Sequence, residues 1–141
     1  MQREDAEELA RSWAKAVESG AAGAFETLVS PDVTDVSGQA PVLGQAPFEA
    51  RSRAIHAAFR SIAVTVDQVL VDGERLAWRF TLRAEHCGPF LGIEATGKEV
   101  TVRGVNFQRI EHGRVREHWT LLDRFDLLQQ LRSSRRPVTT A

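Results

Sequence analysis

The feature of this sequence that most constrains its fold is residues 75–84, where apolar and polar side chains alternate. Successive side chains of a β-strand point to opposite faces, so a period of two predicts a strand with one buried face. The hairpin-turn dipeptide at residues 72–73, Asp-Gly, joins this stretch to a run rich in β-branched residues over 63–71. The alternating residues are apolar Leu76, Trp78, Phe80 and Leu82 and polar Arg75, Arg79, Thr81 and Arg83.

Helical patterns fill the first part of the chain, whereas the second part is strand-like. The first helix is amphipathic and ends at Gly20, and a second turn, at His112-Gly113, joins the last two strands. The predicted helices cover 3–19, 22–29 and 48–60, the predicted strands cover 33–37, 63–71, 75–84, 100–110 and 114–122, and one or two helical turns cover 125–131.

Helices followed by strands without intervening helices are typical of an α+β fold and not of a parallel βαβ sheet. We expect a cone-shaped α+β barrel, with the N-terminal helices packed in the concave face of a curved, mostly antiparallel sheet. A sheet wrapped around helices leaves a blind interior in which a small-molecule pocket can form. The length fits a single domain over 1–141, with a core over about 5–131 and a loose tail over 132–141.

Composition argues against several classes of function. A formal net charge of -1 disfavours nucleic-acid binding, which usually requires a basic excess. No run approaches the ~18 apolar residues of a membrane span. Cys87 is the only cysteine, so no intrachain disulfide can form and the reducing cytoplasm is the expected location. The four histidines lack metal-ligand spacing, and we expect neither a metal nor a cofactor.

Residues 84–123, AEHCGPFLGIEATGKEVTVRGVNFQRIEHGRVREHWTLLD, resemble the SnoaL-like branch of the nuclear-transport-factor-2-like superfamily. The segments over 21–33 and 55–80 are similar to the family as well, so the resemblance covers roughly residues 5–131. The matching positions are His86, Gly88, Phe90, Gly92, Ile93, Thr96, Gly97, Val100, Arg109, Gly113, Val115, Glu117, His118, Trp119, Asp123, Leu127, Leu128, Gln130 and Leu131.

The resemblance implies a cone-shaped domain that forms a homodimer or a higher homo-oligomer through its outer sheet face. It also implies ring closure on polyketides by intramolecular aldol chemistry, in a family whose relatives hydroxylate, isomerise or open epoxides. The pocket aspartate that the resemblance places on the last strand corresponds here to Thr120. A threonine hydroxyl cannot replace a carboxylate base, which puts ordinary base-catalysed cyclisation in doubt. Asp123 is expected to cap the C-terminal helical turn.

Four residues are candidates for chemistry: His118, Asn106, Asp35 and Thr120. His118 shares a strand face with Thr120, and an imidazole titrates near physiological pH; the alternative is a half-buried structural histidine. Asn106 can orient a carbonyl or a water molecule but cannot transfer a proton alone. Asp35 is either the displaced acid of the pocket or a solvated turn aspartate.

The expected substrate contacts combine aromatic, apolar and polar side chains. Gln108 alternates onto the face of Asn106, and cross-strand hydrogen bonding is its alternative role. His86 ends its strand and has a structural alternative, while His56 and His112 are expected to have no role. The expected contacts are Trp13, Trp78, Phe59, Gln108, His86 and Leu122.

Two classes of function remain open from the sequence. The first is a cofactor-independent cyclase, or a related isomerase or hydroxylase, that folds a reactive polyketide-like molecule in an enclosed pocket. The second is a non-catalytic module that binds a small molecule. An epoxide hydrolase, which needs two carboxylates to hold a water molecule, ranks below both because Asp35 is its only obvious candidate.

Overall fold

The computed structural model of the protein describes residues 1–133, so the predicted loose tail lies outside the described residues from position 134 onward. Three helices pack on one six-stranded sheet. The elements are α1 (Arg3–Ser19), β1 (Val29–Asp35), β2 (Val42–Leu43), α2 (Ala46–Ala58), β3 (Phe59–Asp72), β4 (Arg75–His86), β5 (Glu99–Glu111), β6 (Arg114–Leu122) and α3 (Arg124–Arg132).

The strands lie in the order β2-β1-β6-β5-β4-β3, and the sheet is not closed into a barrel. All neighbours run antiparallel except β1 and β6, which run parallel. Both predicted hairpins are confirmed, since Asp72 pairs with Arg75 and Glu111 pairs with Arg114. The expected α+β cone with a mostly antiparallel sheet is therefore confirmed, and β1 with β6 is its one parallel pair among the described residues.

The helix predicted over 22–29 is wrong. Residues 22–28 form successive turns, in which amides bond to carbonyls three positions back, as in Glu26 N to Gly23 O at 3.1 Å. Gly23 has a φ of 76°, which lies outside the right-handed helical region and interrupts the pattern. The following strand begins at Val29, four residues earlier than predicted, and tolerates Pro31 because the register with β6 shifts there.

No loop separates α2 from β3. The helix ends at Ala58, two residues earlier than predicted, and the 14-residue strand β3 starts at once. Ser61 has a φ of 54°, and the register with β4 shifts between Arg60 and Ala63. This bulge lets the chain turn from the helix into the sheet, a local irregularity that the alternating pattern of the sequence does not reveal.

The core consists of two clusters. In the larger one, α1 lays its small buried residues, Ala6 and Ala10, against the concave sheet face around Leu76 and Trp78. The smaller one packs Leu127 and other residues of α3 against β5 and the end of β4. Helix α3 is capped as predicted, because the Asp123 carboxylate accepts a 3.1 Å hydrogen bond from the amide of Asp126. Within residues 1–133, no helix is long and apolar enough to cross a membrane.

Candidate active site

A cavity lies between α1, the turns at 22–28, α2 and the concave face of β3–β6. The centre of a water molecule can occupy about 100 Å³ of it, and the cavity is partly open to the surface. Since one water needs only about 15 Å³ on this measure, the space suits several waters or a small organic group. Its apolar walls include Val17, Phe25, Ile55, Val64, Phe80 and Leu82.

The cavity brings together six of the residues predicted from the sequence. Asn106 of β5 lies between its Cα partners Trp78 of β4 and Thr120 of β6. His118 is two residues from Thr120 on the same face of β6, and Asn106 and His118 are thus diagonal neighbours. The six that line the cavity are Trp13, Trp78, Asn106, His118, Thr120 and Leu122.

The other four predicted residues do not line this cavity. Gln108 is buried beside the cavity, 2 % exposed, and forms hydrogen bonds with the lining residues Trp78 and His118. Phe59 and His86 belong to another part of the core, with ring centroids 5.4 Å apart, and the His86 Nδ1 is 2.9 Å from the Thr96 hydroxyl oxygen. Asp35 is 3 % exposed and pairs with His118 at the end of β1, but it is neither in the cavity wall nor a solvated turn residue.

His118 is enclosed by aromatic rings. Trp13 stacks on its imidazole with centroids 4.8 Å apart and planes 21° apart, and Phe48 contacts it edge-on at 5.4 Å. Burial lowers the pKa of His118 from 6.5 to about 4, because an apolar enclosure disfavours the cation. The charge of Asp35 acts against this change and that of Arg51 adds to it. At pH 7 the imidazole is therefore neutral.

Asp35 is the anion of an ion pair beside the cavity. Its carboxylate accepts hydrogen bonds from the Arg51 guanidinium at 2.5 Å and from the Ser37 amide at 2.9 Å. Burial acts to raise the pKa of Asp35, but these hydrogen bonds outweigh it and the net pKa is lowered. Asp35 thus stays ionised and is a weak base.

A buried hydrogen-bond chain crosses three strands at the cavity wall. The Trp78 indole Nε1–H donates to the Gln108 Oε1 at 2.9 Å, and the Gln108 Nε2 lies 3.1 Å from the His118 Nδ1. All three side chains are 2 % exposed. Gln108 and His118 are Cα partners, so the strand register itself brings the amide to the imidazole.

Helix α2 supplies lining residues that the sequence prediction missed. Arg51 lies at the mouth, with its side chain 42 % exposed and its guanidinium carbon 5.4 Å from the centroid of Phe48. The Ser52 hydroxyl is buried without a partner in the described part of the chain. The expectation that His56 has no role stays a prediction. Its ring lines the cavity, and its Nε2 is 2.8 Å from the Val17 carbonyl oxygen. The i, i+3, i+4 spacing of α2 indicates its inner face but not the Arg51 pairing.

The described residues contain no group of three or more histidine, cysteine or acidic side chains arranged to hold a metal ion. The polar groups that line the cavity are instead two imidazoles, an amide, two hydroxyls and the Arg51 guanidinium at the mouth. This set can orient a carbonyl and stabilise charge on its oxygen.

Comparison with known proteins identifies relatives. The family model of the SnoaL-like polyketide cyclases matches residues 7–131. TsrD of Streptomyces laurentii superposes with a TM-score of 0.83 at 24% identity, covering 93% of this chain and 97% of that one. AclR of Streptomyces galilaeus, a proposed hydroxylase, superposes with a TM-score of 0.83 at 25% identity, covering 92% and 82%.

A third solved structure, that of IdmH from Streptomyces antibioticus, a proposed polyketide cyclase, has a TM-score of 0.77. Its identity is 25%, and the match covers 89% of this chain and 96% of that one. No curated protein sequence is significantly similar to this chain. The family match spans most of the chain, and the solved structures share its whole architecture. The chain belongs to the SnoaL-like polyketide cyclase family.

Proposed function

We propose that the protein is a cofactor-independent cyclase that folds a polyketide-like molecule and closes a ring in it. The observation that carries this proposal is the pairing of two uncharged polar groups, His118 and Asn106, on one wall of an apolar cavity. As diagonal neighbours on β5 and β6, their Cα atoms are about 7–8 Å apart, close enough for both side chains to reach one small ligand.

The Asn106 amide is free for a ligand. The residue is 3 % exposed, yet no hydrogen bond within residues 1–133 engages its side chain. A buried amide without a protein partner is costly unless something else satisfies it. A substrate carbonyl oxygen in the cavity would accept a hydrogen bond from the amide nitrogen. The same hydrogen bond would stabilise the negative charge that develops on this oxygen during the reaction.

The ring closure needs no protein base when the substrate reacts as an enol. The nucleophilic carbon of the enol bonds to a ketone carbon of the same chain, and the π electrons of that ketone move to its oxygen. The enol O–H proton passes to this oxygen, and the enol becomes a ketone. Atoms and charge balance within the substrate, which suits a site with Thr120 on the last strand and with Asp35 held in an ion pair.

The cavity contributes alignment and polarisation. Holding both reacting carbons in contact can remove about 7 kcal/mol of the barrier. Each oriented donor to the developing oxyanion is worth about 10²–10³-fold in kcat. The aromatic walls formed by Trp13 and Trp78 exclude water and fit an apolar, planar intermediate.

The proposal extends to assembly and location. Leu70, Phe107 and Leu121 are more than half exposed on the sheet, and Phe107 contacts Trp119 at 5.4 Å. These apolar side chains support the expected assembly through the outer sheet face, a homodimer or a higher homo-oligomer, of which we propose the dimer. Light scattering at micromolar concentration should give the mass of a dimer, and a monomer mass would contradict this part. The expected cytoplasmic location stays a prediction.

The test is turnover of linear poly-β-ketone thioesters, followed by mass spectrometry of cyclised products. We expect faster ring closure than in buffer, and a loss of about 10²-fold in kcat for His118→Asn and for Asn106→Leu. His112→Asn is the matched control, because His112 lies in an exposed turn and its side chain is 92 % exposed.

Two outcomes would contradict the proposal. Binding of these chains without accelerated cyclisation would indicate a non-catalytic binding module. Unchanged product profiles in both cavity variants would remove His118 and Asn106 from the mechanism.

A further inference from the structure

The hydrogen-bond chain from Trp78 through Gln108 to His118 determines more than packing. An indole nitrogen can only donate, so the atom facing Trp78 must be the Gln108 oxygen, at 2.9 Å. The amide then turns its NH₂ group toward the His118 Nδ1, at 3.1 Å. A flipped amide would place donor against donor at Trp78 in a site closed to water.

Because the amide donates, the His118 Nδ1 must accept. A neutral imidazole carries one proton, and if Nδ1 accepts, that proton is on Nε2. In the described residues Nε2 has no hydrogen-bond partner, and the ring that carries it lines the cavity. Nε2–H is therefore left for a ligand.

We propose that Gln108 is a positioning residue that holds His118 as the Nε2–H tautomer, so that the cavity presents a hydrogen-bond donor and not a base. This inference rests on the proposed function for its catalytic meaning. The choice of tautomer, however, is a property of the free protein and can be measured without substrate.

The charges around His118 are compatible with this assignment. On β1, Asp35 is the anion that faces it, and on α2, Arg51 is the cation; both belong to the ion pair described above. Helix α1 contributes Trp13, and α2 also contributes Phe48, both uncharged. Neither charged group bonds to the imidazole within residues 1–133, so the amide of Gln108 is the polar partner that selects the tautomer.

The direct test is ¹⁵N NMR of histidine-labelled protein at pH 7, with His118 assigned by its absence in His118→Asn. We expect the shifts of an unprotonated Nδ1 and a protonated Nε2. In Gln108→Glu an ionised carboxylate can only accept, so Trp78 keeps its partner while Nδ1 must become a donor; the ¹³C shift of the carboxyl group shows that it is ionised. The variant should show a protonated Nδ1, either in the reversed tautomer or in the cation.

Gln129→Glu is the matched control, because it makes the same substitution at an exposed position of α3 and should leave the His118 spectrum unchanged. Trp78→Phe removes the donor that orients the amide and should give a mixture of tautomers. With a cyclisable substrate, Gln108→Glu should lower kcat by about 10²-fold, as loss of one oxyanion donor does.

A protonated Nδ1 in the wild-type neutral ring would overturn the inference. An unchanged tautomer in well-folded Gln108→Glu with an ionised carboxylate would overturn it as well. If no substrate is cyclised but the tautomer responds as expected, the proposed function fails and the positioning role of Gln108 stands.

Discussion

Acid should destabilise this protein through His118 before the buried Asp35 titrates. Burial lowers the pKa of His118 to about 4, whereas in the unfolded chain it returns to its ordinary 6.5. Between these values the unfolded chain binds more protons than the native protein, so stability falls as the pH falls. At about 1.4 kcal/mol for each pH unit between the two pKa values, the full loss is about 3 kcal/mol.

The carboxylate of Asp35 contributes in a separate pH range. The pKa of Asp35 is lowered from 3.8 by the Ser37 and Arg51 hydrogen bonds, which outweigh burial. Its stabilisation is present above 3.8 and is lost as the pH falls through the folded value. The change in the free energy of unfolding between pH 6.5 and 4.5 therefore reports mainly on His118.

The assay is urea unfolding at pH 7, 6.5, 5.5 and 4.5. We expect the free energy of unfolding to be flat down to 6.5 and then to fall by about 2–3 kcal/mol by pH 4.5. His118→Gln, which cannot titrate, should lose most of this slope whatever its stability at pH 7. The exposed-turn variant His112→Asn should keep it. A flat wild-type profile, or an equal slope in His118→Gln, would refute the claim that burial holds this imidazole neutral.

Two further predictions concern the frame of the site. Arg51→Met should destabilise the fold by about 2 kcal/mol, because it leaves the buried Asp35 carboxylate without its cation; this is less than for a fully buried pair, since the Arg51 side chain is 42 % exposed. The exposed Arg53→Met on the same helix is the control, and equal urea midpoints for the two variants would contradict the role of the ion pair. Gly88→Ala should cost about 1–3 kcal/mol, because an added Cβ would lie 2.2 Å from the Ala57 carbonyl oxygen. Gly38→Ala, with no atom nearer than 3.9 Å, is its control in thermal melts, and matching melting temperatures would show that the chain adjusts freely there.

The sheet could be predicted from the sequence because its information is local. Alternation over 75–84 and the two turn dipeptides define hairpins whose partners are close in the chain, and the pairs Asp72–Arg75 and Glu111–Arg114 confirm them. The pairing of β1 with β6 joins segments more than eighty residues apart, and no local pattern encodes it. Gly23 was the available signal against the wrong helix over 22–29.

The candidate site was predicted only in part, for the same reason. Strand parity places Asn106, His118 and Thr120 on one face, and this face does line the cavity. Parity cannot show which side chains approach from α2, and so the partner of Asp35 was missed. An arginine in a helical pattern is usually predicted to be solvated. Only the fold shows that the Arg51 guanidinium lies 2.5 Å from the carboxylate of Asp35, 16 positions away in the chain.

The enclosure of His118 links stability to function. The rings of Trp13 and Phe48 bury most of the imidazole, and the resulting loss of basicity makes the protein sensitive to acid. A cationic imidazole would hold an anionic intermediate tightly from the start, whereas a neutral one gains most as charge develops on the reacting oxygen. A substitution that opens this enclosure, such as Phe48→Ala, would therefore raise the pKa of His118 and weaken the discrimination between ground state and transition state. In such variants the free energy of unfolding should depend less on pH, whereas kcat should fall.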